Sequence, residues 1–193
     1  MGKIIHIDKI RAYIKDTIVF RSKDIEVLTK NGEYSHLILH KLAKKGEIKR
    51  VVKGWYSRYD DPIVTVFCFK PSYIGLQEAL SLQGLWEQET NVTIITPLRV
   101  RTGIRNVLES NIVLHSIDKR YFFGYEYLKY GDFFIPVSDI EKTLIDLIYF
   151  NEIPDKEIIR ELRKKIDKKK LQKYLIKYSQ KARKRIRDKI QTN

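Results

Sequence analysis

The spacing of apolar positions divides the chain into helical and extended stretches. Ile7, Ile10 and Ile14 share a face and predict a leading helix over residues 4–15, with Asp8 capping its main body. In residues 22–29, Ile25 and Leu28 lie three apart. Ser22 is placed to cap this helix, and Asp24 and Glu26 sit in its first turn, where the helix dipole favours negative charge. Asn31 and Gly32 break it. Tyr34, Leu37, Ile38 and Leu42 then form the inward stripe of a second helix, which ends before Gly46, a residue suited to a left-handed cap. Ile48, Arg50 and Val52 alternate with Lys49 and Val51, Lys53 and Gly54 make a tight turn, and residues 55–58 return as a hairpin. Two helices, a turn between them and a hairpin give the order of a winged helix-turn-helix, expected over residues 1–62.

Pro62 disfavours helix at Asp61 and marks a boundary. Beyond it, the β-branched and aromatic run 63–69 predicts a buried strand. A helix is expected from Pro71 through Gly84, a strand over 91–96, and an arginine-bearing loop or short helix over 98–108. Residues 111–117 read as another strand, and 121–128 with 132–137 as a hairpin around residues 129–131. Ser138 and Glu141 fit a capping box for a helix through Phe150, with Leu144, Leu147 and Ile148 as its stripe. After a turn over 151–155 the pattern is helical to near Ile190, broken near Asp167. The expected fold is α+β: an N-terminal winged helix-turn-helix, then a mixed α/β domain over 63–193 that ends in a basic helical extension, 151–193.

Charge sharpens this division. The formal net charge is +14, and it is unevenly spread: +7 over residues 1–60, −3 over 61–150 and +10 over 151–193. Two basic ends around a near-neutral middle suit two surfaces that face a polyanion. The second helix of a helix-turn-helix lies in the major groove with its N-terminal residues at the base edges. Ser35, His36 and His40 are the candidates for base contact. Lys41, Lys44 and Lys45 on the helix, and Lys49, Arg50, Lys53 and Arg58 on the hairpin, are the candidates for phosphate contact. The bland alternative is a small α/β unit with solvated lysines.

The lone Cys68 excludes an internal disulfide and a zinc cluster, and is read as a packing residue. His6, His36, His40 and His115 show no metal-ligand spacing, and no glycine-rich phosphate loop is present. No cofactor or metal is expected. No apolar run reaches transmembrane length and the N-terminus lacks a signal-peptide pattern, so a cytoplasmic protein without membrane contact is expected.

Several stretches are similar to a known family. They are residues 71–85, the aromatic run Tyr121, Phe122, Phe123, Gly124, Tyr125, and residues 135–148, together with Lys53, Gly54, Trp55 and Tyr56 on the hairpin. The strongest marker is Ser138-Asp139-Ile140-Glu141-Lys142-Thr143-Leu144-Ile145-Asp146-Leu147. In this order they resemble the AbiEi family, the antitoxins and transcriptional regulators of type IV toxin–antitoxin (abortive-infection) systems, over roughly residues 18–150. The resemblance implies that the winged domain binds inverted repeats in double-stranded DNA of its own promoter. It also implies that the C-terminal domain counters a nucleotidyltransferase toxin of the AbiEii type without a tight complex. It supplies no catalytic residues, so the protein is not expected to be an enzyme. A helix that reads only a few base pairs makes a homodimer on DNA a reasonable expectation.

Two other readings compete. The basic tail, with Tyr121, Phe122, Phe123 and Tyr125 as stacking platforms, would suit RNA; aromatics at alternating strand positions are more often core. A nuclease of the PD-(D/E)xK type would want Pro154 and Asp155 followed by Asp167, Lys168 and Lys169. Those letters lie in a lysine-dense helical stretch where such matches arise by chance. Glu141 is read instead as a capping acid, Lys142 as a surface cation and Asp146 as a residue of the polar side.

Overall fold

The computed structural model describes residues 2–152 and 156–192. It is α+β, and the chain divides into two compact units, residues 1–70 with 106–111, and residues 71–105 with 112–193. The segment 63–70, expected to open the second domain, therefore groups with the first unit. Pro154 and Asp155, named in the nuclease alternative, and the side chain of His6 lie outside the described residues.

In the first unit α1 (Gly2–Asp16) leads into a short strand, β1 (Val19–Arg21), then α2 (Ser22–Thr29), α3 (Gly32–Lys44) and the hairpin β2 (Lys49–Val52) and β3 (Trp55–Ser57). The three strands pair in the order β1-β3-β2. Ile10 and Ile14 from α1, Phe20 from β1, Ile25 from α2, Ile38, Leu39 and Leu42 from α3, and Ile48 form one buried cluster. β1 is too short to announce itself in the sequence. Its pairing, Val19 with Ser57 through Arg21 with Trp55, ties the entrance of α2 to the hairpin.

Several local expectations shift. Ser22 is the first helical residue rather than the cap: the backbone N–H of Arg21, one residue earlier, donates to the Asp24 carboxylate at 2.7 Å. α2 ends at Lys30, which takes the left-handed conformation (φ 53°), and Asn31 caps α3 by accepting from the Tyr34 N–H at 3.0 Å. The buried stripe of α3 is Ser35, Ile38, Leu39 and Leu42, one step round from the expected face, and Leu37 is 49% exposed. At the other end Gly46 (φ 72°) donates to Ala43 and Glu47 donates to Leu42, a Schellman closure. A bulge between Arg50 and Val52 turns Val51 inward and breaks the simple alternation. Asp8 lies inside α1 and caps nothing there.

Residues 62–69 form a 3-10 helix, not the expected strand. Pro62 fits the first helical position and the Asp61 carboxylate accepts from the Ile63 N–H at 2.9 Å, so a helical turn starts before strand pairing can. A short apolar run reads the same way whether it is buried as helix or strand. Cys68 is half-buried, and desolvation pushes its thiol up to about 12.

A six-stranded mixed sheet, β6-β7-β5-β4-β9-β8, belongs to the second unit except for residues 106–111 at the β6–β7 turn, which group with the first. Its strands are β4 (Tyr73–Ile74), β5 (Val92–Thr96), β6 (Gly103–Val107), β7 (Ser110–Ser116), β8 (Tyr125–Tyr130) and β9 (Phe133–Ser138). β6 replaces the expected loop. The expected helix 71–84 gives up its start to β4 and survives as α4 (Leu76–Leu82). β4 runs parallel to β9 and antiparallel to β5, and β8 and β9 are the expected hairpin. Four helices follow: α5 (Ile140–Tyr149), α6 (Lys156–Lys165), α7 (Lys168–Leu175) and α8 (Gln180–Thr192). Asp167 caps α7, accepting from the N–H groups of Lys169 and Lys170. A second break separates α7 from α8, where the Arg183 guanidinium donates to the carbonyls of Leu175, Ile176 and Tyr178 at 2.9–3.2 Å. Tyr73, Leu76, Leu80, Leu144, Ile148, Ile159, Leu162, Leu171, Leu175 and Ile186 meet in one core. Among the described residues no helix is long and apolar enough to cross a membrane.

Candidate nucleic-acid interface

With Ile38, Leu39 and Leu42 fixed in the core, the opposite face of α3 is left to solvent. It carries Glu33, His36, Leu37, His40, Lys41 and Lys44 at helical spacing, all exposed. Lys45, Lys49, Arg50, Lys53 and Arg58 are exposed as well. Of the ten predicted contact residues, Ser35 is the exception. It is 2% exposed, its hydroxyl lies 2.6 Å from that of Thr29 and donates to the Asn31 carbonyl at 2.7 Å, so it is a packing residue and not a group offered to a base edge. It falls on the inward stripe because that stripe is rotated from the one the sequence suggested.

The hairpin cations differ in how they are held. Lys49 pairs with Asp60, and the Arg58 guanidinium lies 4.3 Å from the Tyr59 ring centre. Gly54 at the hairpin turn has φ 78°, a conformation that favours glycine. Beside the hairpin is an exposed cation that the sequence reading missed: Arg21, opposite Trp55 in the strand register, its guanidinium 5.6 Å from the Trp55 ring. Only the pairing of β1 brings it there. Arg11 joins Glu47 through two bonds of 2.8 and 2.9 Å, linking α1 to the entrance of the hairpin.

The second unit holds a different arrangement. Lys142 and Asp146, expected at the surface, are both wholly buried on α5 and paired one turn apart. Tyr73 donates to Asp146 at 2.7 Å, the Lys142 ammonium reaches the Tyr178 hydroxyl at 3.2 Å, and the Phe123 ring lies 5.4 Å from that ammonium. Burial lowers the Lys142 pKa against the opposing pull of Asp146, and raises that of Asp146 against the opposing pull of Lys142. Asp139, not Ser138, caps α5, accepting from the Lys142 N–H at 2.8 Å, while the Ser138 hydroxyl turns inward to Thr143 at 2.7 Å. Glu141 is no capping acid either. It accepts from the Asp167 N–H at 2.8 Å and pairs with Lys170 at 2.9 Å; Tyr174 and Lys170 both reach Asp139. The polar residues of α5 therefore fasten α7 and the chain after it. Gly124 (φ 73°) leaves room for this: a Cβ there would meet Lys142 and Tyr174 at 2.9 Å.

The aromatics considered as RNA platforms are engaged with this core. Tyr121 stacks on Tyr178 at 4.2 Å, Tyr125 on Tyr73 at 5.4 Å, and Phe123 packs on the edge of Tyr174 at 5.0 Å. Among the described residues no group of His, Cys, Asp and Glu side chains is arranged to hold a metal ion.

No family model matches the chain, and neither does any curated protein. Its fold is similar to the crystal structure of the RV2827C protein from Mycobacterium tuberculosis. The TM-score is 0.62, at 11% sequence identity over 97% of this chain and 76% of that one. At that identity the likeness bears on the fold alone.

Proposed function

We propose that the protein is a sequence-specific, double-stranded-DNA-binding transcriptional regulator, with the first unit acting as a winged helix-turn-helix. The observation that carries this reading is the solvent face of α3, where His36, His40, Lys41 and Lys44 share one stripe and a hairpin bearing Lys49, Arg50 and Lys53 follows in the chain. In the proposed complex α3 lies in the major groove, His36 and His40 meet base edges, and the lysines and arginines neutralise phosphates. Arg21 joins the phosphate contacts. On the resemblance to the AbiEi family, the further reading is an antitoxin that represses its own promoter and counters a nucleotidyltransferase toxin.

A gel-shift titration against the chain's own upstream DNA, with random duplex of equal length as competitor, tests the first part. Binding that survives random competitor is the expected result; equal binding to both would reduce the charge to general polyanion affinity. Rescue of cells that express a neighbouring nucleotidyltransferase gene tests the second part separately.

A further inference from the structure

β8 ends the sheet order, and among the described residues no strand pairs with its outer side. The phase of its ladder is fixed by the Asp139 N–H, which donates to the Gly124 carbonyl at 2.9 Å just before the strand. In the observed register that makes Glu126–Val137, Leu128–Ile135 and Tyr130–Phe133 the hydrogen-bonded pairs. The amides and carbonyls of Tyr125, Tyr127 and Lys129 consequently point outward from the sheet. Beside them, Tyr127 is 64% exposed, and Phe134 on β9, opposite Lys129 and diagonal to Tyr127, is 56% exposed. The edge is six residues long and has no proline, so it is a competent template for another strand.

We propose that a second copy of this chain docks antiparallel on β8, with a two-fold axis at Leu128, and continues the sheet across that axis. Antiparallel pairing needs outward amides to face outward amides, so the axis must fall on a residue; on Glu126 or Lys129 it would set like charges opposite each other, which leaves Leu128 or Tyr127. Centred on Leu128, Lys129 lies opposite the partner's Tyr127 and Glu126 opposite the partner's Tyr130. The ammonium then meets an aromatic face, the carboxylate meets a phenol hydroxyl, and no like charges oppose each other. Centred on Tyr127, Glu126 would oppose the partner's Leu128, and Lys129 would oppose a Tyr125 ring already stacked on Tyr73. Lys129 and Glu126 hinder a neutral foreign strand, while a second copy supplies the complement to both. The proposal concerns the second unit and does not depend on the DNA-binding reading.

Sedimentation equilibrium of the full chain over a concentration series gives the test. A dimer is expected, and Tyr127→Pro should weaken it at least tenfold. The N–H that proline lacks is an outward one, so the ladder to β9 stays intact and the circular dichroism should be unchanged. Leu128→Cys provides a check that does not rely on proline being tolerated. At the axis this position opposes itself in a non-hydrogen-bonded pair, and mild oxidation should link two copies, whereas Tyr127→Cys should not link. The unaltered chain controls for Cys68. A chain that stays monomeric at about 100 µM overturns the proposal and leaves the edge to a strand of another protein. A dimer insensitive to Tyr127→Pro, with no link through Leu128→Cys, also overturns it.

Discussion

Ser35 and Lys142 show how burial changes what a polar residue does. Both were read as surface groups, and both are inside. Ser35→Ala should cost about 1 kcal/mol in urea unfolding, because the Thr29 hydroxyl loses a buried partner. The same variant should leave the preference for specific over random DNA unchanged; a shift in preference would return Ser35 to the base-reading face. Lys142→Met should cost more, about 3–5 kcal/mol, since it strands the Asp146 carboxylate where no water reaches it. Replacing the pair together, Lys142→Met with Asp146→Leu, should recover most of that loss. What remains is the cost of the unpaired Tyr73 hydroxyl, about 1–3 kcal/mol. If the double variant is as unstable as the single one, the pair is not the centre of the network.

At the scale of elements, α3 and the hairpin divide the proposed DNA contacts into two kinds. His36→Ala or His40→Ala should change which duplex is preferred. Arg50→Ala or Lys53→Ala should weaken all duplexes alike and lower the salt slope of binding by about one. Competition gel shifts at several salt concentrations separate these effects, and identical behaviour of both sets would remove the groove assignment. The helices and the hairpin were legible because their apolar spacing and glycine stops are local signals. β1 was not, because three residues carry no period and its place is set by Trp55, Tyr56 and Ser57 far along the chain. The 3-10 run at 62–69 was misread because continuous burial erases periodicity. On α5 the stripe was legible, but the roles of Glu141, Lys142 and Asp146 were not, since their partners Lys170, Tyr178 and Tyr73 arrive from distant segments. The nine exposed contact candidates lay on short-range helix and hairpin patterns, whereas Arg21 needed the strand pairing to be seen.

For the molecule as a whole, the buried tyrosines that close the network tie stability to alkaline pH. Burial raises the hydroxyls of Tyr73 and Tyr178, with Asp146 adding to both shifts. The ordinary tyrosine value is about 10, so above that pH the unfolded chain releases protons that the folded chain keeps. The stability contributed by these two groups is therefore fully present below about pH 10 and is lost as pH climbs towards the folded values. Lys142 acts in the opposite sense: its lowered value favours the folded chain as pH rises to the unfolded lysine value of about 10.4. Two phenols set against one ammonium leave a net decline that should begin at about pH 10 and steepen once the lysine contribution ends at about 10.4. Tyrosinate absorbance followed together with circular dichroism should show most phenols titrating first, with a last group appearing only as the fold is lost. Tyr178→Phe should make the alkaline decline shallower, because one fewer proton is then linked to unfolding. Should every phenol titrate while the circular dichroism is unchanged, Tyr73 and Tyr178 are reached by solvent, and the closed network around Asp146 cannot be what holds Tyr178 and the chain after α7 on α5.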